Sequence, residues 1–281
     1  VVARFAVRGG GLVPTGITVG TVEHQPGDAT WDQAKRVVNA ADARYAAFGG
    51  HLLHTHLIVG NAFALATYSL PTWHRLRPFM AFFTYGTLTV NDFAYRALLT
   101  AGSYFVESGF TAVADARRLF ANLIADFDLE RWIAPRDIAA RGLEAIPDHP
   151  YVQDALLVWP AIEDVVERHL DQLGLDDTAI AADMDLQTWY LTLAKVIPHC
   201  DPLARPLDRG RLTDLCAALL CACVVHEICG DLSPILGSQD PLDKAMVNLE
   251  RFRAAVADGE LTTPADPPTM ADVFLIDQAS Y

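Results

Sequence analysis

No stretch of this chain approaches the about 18 consecutive apolar residues that a membrane-spanning helix needs; the longest run, residues 215–225, has eleven. No transmembrane segment is expected. Basic side chains are scarce, with 21 Lys and Arg against 35 Asp and Glu, and no basic run offsets the formal charge of −14. Such a field repels phosphate backbones and anionic lipid surfaces, so nucleic acid is set aside as a partner. Cysteine is sparse and odd in number: Cys200, Cys216, Cys221, Cys223 and Cys229 show no CxxC spacing. They read as buried, reduced thiols rather than disulfides or a zinc site, which points to a reducing, cytoplasmic compartment. Residues 1–7 lack an initiator Met and the two regions of a signal peptide, so the sequence reads as a fragment. Neither GxSxG nor a P-loop occurs, which disfavours serine hydrolases and nucleotide enzymes.

What is present is apolar and helical. At 52% hydrophobic and 20% charged, 281 residues suffice for one sizeable core. Residues 1–30 are rich in Gly, Pro and Thr and predict one or two short strands in loops. From Trp31 the texture changes: Ala34, Val37, Val38, Ala41, Tyr45 and Phe48 recur at helical spacing, Asp28 or Thr30 can cap the start, and Gly49-Gly50 marks an end. Residues 51–69 are apolar nearly all round, the signature of a helix buried on every side, and Pro71 breaks it. Helical patterns return at 91–108, with Leu98, Leu99 and Phe105 inward, and at 111–126, 154–173, 185–197, 211–229 and 240–257. With no repeat, the expectation is a single, mostly α domain over 1–281: an irregular or β lead-in (1–30), a helical core (31–236) and a C-terminal segment (237–281).

The chemistry concentrates in His51-Leu52-Leu53-His54-Thr55-His56, three imidazoles in six residues. Histidine is the commonest metal ligand. Residues five apart on a regular α-helix point about 140° away from each other, whereas a π-turn returns them to one face. If His51 and His56 bind one metal, a π-bulge is predicted there. The alternative is a pair of hydrogen-bonded core histidines. A distant third ligand is offered by His226, which ends the apolar run. His226-Glu227-Ile228-Cys229-Gly230 begins like HExxH but has Gly230 where a zinc peptidase needs its second histidine, and no histidine carries the ExxH spacing of di-iron bundles.

Six blocks, in one order, resemble the lipoxygenase family. Trp31-x-x-Ala34-Lys35-x-x-Val38-x-x-x-Asp42-x-x-Tyr45, followed by His51 to His56, is similar to its WxxAKxxV…D and HxxxTH segment. Leu70-Pro71-Thr72-Trp73-His74-Arg75-Leu76-Arg77-Pro78-Phe79 resembles HPxYKLLxPH, and Asp154-Ala155-Leu156-Leu157-Val158-Trp159-Pro160-Ala161-Ile162-Glu163 resembles DGLLLWxAIE. Asp185-Leu186-Gln187-Thr188-Trp189-Tyr190 resembles ELQxWW, Ile197-Pro198-His199-Cys200-Asp201 sits where VGHGD follows, and His226 falls on the third iron histidine. The resemblance implies a lipoxygenase-like helical catalytic core holding one mononuclear non-haem iron on His51, His56 and His226. It further implies a dioxygenase whose ferric iron takes a hydrogen atom from a 1,4-diene polyunsaturated fatty acid, O2 then adding to give a hydroperoxide. Ala101 falls near a position linked to the stereochemistry of oxygenation, so Leu98, Leu99, Ala101 and Phe105 become candidate pocket residues. His54, His74 and His199 match non-ligand positions, and Trp159 and Trp189 read as core aromatics.

The departures are as specific as the matches. The family's fourth side-chain ligand, commonly Asn, aligns with Gly230, leaving that position vacant unless water or Asp231 fills it. Two outer glutamines become Ala47 and Ser233, and a Glu becomes Gly60. The C-terminal carboxylate that serves as an iron ligand would fall to Tyr281. Two alternatives therefore stand beside the dioxygenase: a catalytically silent relative serving as an apolar-ligand or structural protein, and a three-histidine iron enzyme with altered chemistry. The sequence leaves the oligomeric state open.

Overall fold

The computed structural model describes residues 1–100 and 113–222 of the chain. It is mostly helical, with a small sheet at the start. Where one or two loop-bound strands were expected, three form an antiparallel meander: β1 (Val2–Arg8), β2 (Gly11–Val19) and β3 (Val22–His24). The physical reason lies in the turns. Arg8 pairs with Gly11 around Gly9 and Gly10, both at positive φ (59° and 91°), which is the two-residue turn whose twist matches the flanking strands. Pro14, which cannot donate to a ladder, sits opposite Phe5 where the register shifts between Arg4 and Phe5.

Helix α1 (Trp31–Arg44) begins at Thr30 as expected, but no side chain caps it. The Thr30 hydroxyl is engaged by His24 Nδ1 at 2.8 Å, and Asp28 accepts from the Gln25 backbone N–H. The helix also does not stop at Gly49-Gly50. It continues as a π-helix (Tyr45–Gly60) and then as α2 (Asn61–Ser69), one rod that ends before Pro71. Gly49 is there for proximity rather than for a turn: a Cβ at this position would lie 3.0 Å from Leu123 Cδ1.

Beyond the rod come α3 (Arg77–Phe83), α4 (Thr87–Leu98), α5 (Val113–Ala125), α6 (Ala134–Ala140), α7 (Pro150–Gln172), α8 (Asp177–Ala182), α9 (Met184–Val196) and α10 (Arg209–Leu220). Helix α4 ends at Leu98, so the helix expected over 91–108 is shorter in its described part. Leu98 and Leu99 lie at its C-terminal end, half-buried rather than inward. Aspartates start α8, α9 and α10: Asp176, Asp183 and Asp208 each accept a first-turn backbone N–H.

The core runs through the rod. Val59, Ala62, Phe63 and Ala66 of the π-helix and α2 face α9, where Trp189 and Leu193 are buried, and Phe63 meets the Trp189 ring at 6.1 Å. Trp159 of α7 joins the same cluster. His74 and His199 tie the helices together. His74 donates from Nε2 to Asp183 (3.0 Å) while its Nδ1 accepts the Leu76 N–H, and His199, at a φ of 58°, donates to the Ala125 carbonyl (2.7 Å).

One ionic cluster knots the far side of this core. Glu130 accepts from Arg136, Arg205 and the buried Arg211, and Arg136 also reaches Asp214. Burial works to raise the Glu130 carboxyl, but the Arg205 and Arg136 hydrogen bonds and the Arg211 charge outweigh it and hold it at about 2. Asp214 goes the other way, since burial raises it more than Arg136 lowers it. Because the Glu130 pKa is depressed, its contribution is present above the ordinary value of 4.5 and is lost as pH falls toward 2. Glu130→Gln is expected to lower stability at neutral pH by about 2 kcal/mol, since it leaves Arg211 with a weaker acceptor. It should also flatten the loss between pH 4.5 and 2 relative to the wild type, as read by chemical denaturation across that range.

Candidate metal centre

The π-helix gives the histidine segment its geometry. Its hydrogen bonds reach back five residues instead of four, so the wider turn brings positions five apart onto nearly one face. The Thr55 hydroxyl repeats that step by donating to the Gly50 carbonyl at 3.0 Å. His51 and His56 accordingly converge, with ring centroids 4.8 Å apart, planes at 76° and Nε2 atoms 3.2 Å from each other. Two nitrogens bound to one ion at about 2.0–2.1 Å would stand about 2.8–3.4 Å apart for octahedral to tetrahedral angles. The observed pair lies inside that interval. On this observation the two imidazoles fit adjacent positions on a metal ion.

Leu52, Leu53, Thr55, Ile58 and Val59 of the same helix are buried, while the His51 and His56 rings are half-buried. His54, between the two, packs edge-on against Phe127 at 5.3 Å. Burial lowers its pKa, against the Leu123 backbone hydrogen bond, so it stays a neutral packing group. Among the described residues no three His, Cys, Asp or Glu side chains come together. His226, Gly230, Tyr281, Ala101 and Phe105 lie outside the described residues, as do Asp231 and Ser233. Leu98 and Leu99 stand at the end of α4, the helix that packs on the π-helix.

One residue of the site was not singled out in the sequence. Asn91, 2% exposed on α4, faces His56 with its Oδ1 3.1 Å from Nδ1, and its Nδ2 donates to the His56 carbonyl at 2.6 Å. A lone Asn in an amphipathic helix carries no local signal, and its partner is 35 residues away in the chain. Its approach depends on Gly60. A Cβ there would stand 3.1 Å from both the Thr55 carbonyl oxygen and Thr87 Cγ2, and 3.6 Å from Asn91 Nδ2. The position that the resemblance assigns to a Glu is thus narrowed by the close pass of α4.

Comparison with known proteins bears on all of this. The family profile described as Lipoxygenase matches residues 17–206. The linoleate 9/13-lipoxygenase of Pseudomonas aeruginosa is 35% identical over 164 residues, 57% of this chain and 24% of that protein. A human hydroperoxide isomerase is 30% identical over 167 residues, 58% of this chain and 23% of that protein. The chain thus spans about a quarter of the length of these relatives. In fold it is similar to the coral 8R-lipoxygenase, with a TM-score of 0.67 at 21% identity over 78% of this chain and 36% of that one. The manganese lipoxygenase of Gaeumannomyces graminis gives 0.68 at 20% identity over 78% of this chain and 42% of that one. With the profile spanning more than half of the sequence, and the helical core matching in space, the chain belongs to the lipoxygenase family.

Proposed function

We propose that this chain is the metal-holding core of a lipoxygenase-type dioxygenase acting on a 1,4-diene polyunsaturated fatty acid and O2. The observation that carries the reading is the His51–His56 pair, two Nε2 atoms 3.2 Å apart inside a π-helix. His51, His56 and His226 would hold one non-haem ion. When bound, that ion supplies the one-electron oxidant for taking a hydrogen atom from the doubly allylic carbon. The protein's own part is to present neutral imidazole lone pairs at a fixed spacing. Leu98, Leu99, Ala101 and Phe105 are proposed to line the lipid's path. Iron is the metal the family resemblance implies. Imidazole accepts manganese as well, and one structural neighbour is named for it, so element analysis decides between them.

The second reading, altered chemistry at the same ion, is favoured by Gly230 in place of a ligand and by Gly60, where a Cβ would already stand 3.1 Å from the Thr55 carbonyl oxygen and Thr87 Cγ2. One relative is named as a hydroperoxide isomerase. The two readings separate by product: the first forms conjugated-diene hydroperoxide from linoleate, the second consumes added hydroperoxide.

Iron-loaded wild type is expected to hold one iron per chain, and His51→Ala and His56→Ala each to lose most of it, measured by elemental analysis after gel filtration. Retention of full iron by both variants would overturn the site, and stoichiometric zinc with no iron-dependent activity would favour the silent alternative. Since Cys229 is not proposed as a ligand, Cys229→Ser should leave metal content unchanged. Gly230→Asn is expected to raise the rate of conjugated-diene formation by strengthening the fourth position. Robust wild-type turnover that this substitution abolishes would show that the open position belongs to a working design.

A further inference from the structure

A relay of side-chain amides reads the π-helix backbone and determines which nitrogen of His56 carries its proton. Asn61 Nδ2 donates to the Leu57 carbonyl at 3.2 Å, and a carbonyl can only accept, so Asn61 Oδ1 is turned toward Asn91. Asn91 Nδ2 then meets two oxygens, Asn61 Oδ1 at 2.7 Å and the His56 carbonyl at 2.6 Å. With its nitrogen committed there, Asn91 presents Oδ1 to His56 Nδ1 at 3.1 Å. An oxygen acceptor at that distance requires Nδ1–H. Flipping either amide would oppose oxygen to carbonyl oxygen, so the orientations follow from the two backbone carbonyls rather than from a choice.

We propose that Asn91 is the positioning residue of this centre: through the Leu57–Asn61–Asn91 relay it holds His56 as the Nδ1–H tautomer, with the Nε2 lone pair turned to His51, and so sets the metal affinity. The second half rests on the reading of His51 and His56 as metal ligands, while the first stands on the metal-free protein. The relay also couples ligand to scaffold. His56 offers its carbonyl and its ring to the same amide, so Asn91 fixes the backbone position and the ring orientation together. Such a partner is worth about 10–100-fold in metal affinity where it has been removed from other sites.

The test uses the full chain, free of metal, with nitrogen-15 label in histidine. Long-range proton–nitrogen correlation spectra of the wild type should show His56 with a bare Nε2 and a protonated Nδ1. Asn91→Leu, which removes acceptor and donors, should lose that pattern and bind Fe2+ or Mn2+ about 10–100-fold more weakly. Asn91→Asp, which keeps the acceptor but gives up both donations, to the His56 carbonyl and to Asn61 Oδ1, should keep Nδ1 of His56 protonated while its thermal stability falls. A purely structural Asn91 would lower thermal stability in both variants and leave the tautomer alone, which would overturn the proposal. So would a wild-type His56 protonated at Nε2 and bare at Nδ1. If Asn91→Leu does not fold, the wild-type spectrum and the Asn91→Asp pair carry the decision. A wild type that shows the expected tautomer yet binds neither ion would defeat the metal reading, and the affinity half of the proposal with it. Tautomer control by Asn91 would survive that result.

Discussion

Everything at this site depends on a five-residue hydrogen-bond step held from Tyr45 to Gly60. π-Helical turns are well under 1% of residues in ordinary proteins and are poorer in geometry than α turns. A stretch of 16 residues persists only because its surroundings favour it. Leu52, Leu53, Ile58 and Val59 are buried, α5 closes on Gly49, and α4 closes on Gly60. The packing of an apolar rod against α3, α4, α5 and α9 offsets the weaker backbone geometry. In return, His51 and His56 share a face that an α-helix would deny them.

The division of labour among the described histidines follows from what each nitrogen meets. His74 and His199 spend their ring nitrogens on Asp183, the Leu76 N–H and the Ala125 carbonyl, and so join the rod's downstream loop and α5 to the α9 side of the core. His54 spends its ring on Phe127. His56 has one nitrogen held by Asn91 and the other turned to His51. Only the His51–His56 pair, among these, sets one imidazole against another. The Glu130 cluster does the holding elsewhere. It gathers Arg136, Arg205 and Arg211 around a single carboxylate, which joins the segment before α6 to α10.

Much of this was legible in the sequence, and what was not has a physical explanation. The apolar character of residues 51–69 and the break at Pro71 are local properties, so the buried helix could be read directly, whereas the HxxxxH spacing gave the convergence of His51 and His56 only as one of two alternatives. Gly49-Gly50 misled because a glycine pair usually ends a helix, whereas here the missing side chain of Gly49 makes room for Leu123 of another helix. Thr30 occupies the expected cap position, yet its hydroxyl is bound by His24, a competition that spacing cannot reveal. The meander was under-read because β3 has only three residues and the alternation of β2 is interrupted by Pro14. Asn91 was missed altogether, since its meaning lies in contacts with His56 and Asn61 across the fold.

The most direct test of the central claim, that His51 and His56 share one metal ion through Nε2, is anomalous X-ray diffraction from crystals of the full chain loaded with Fe2+, collected at the iron edge. The expected result is a single anomalous peak about 2.0–2.2 Å from both Nε2 atoms, with Asn91 still on His56 Nδ1. A folded protein with no peak between the two rings, or with iron held instead by cysteine sulfur, would contradict it.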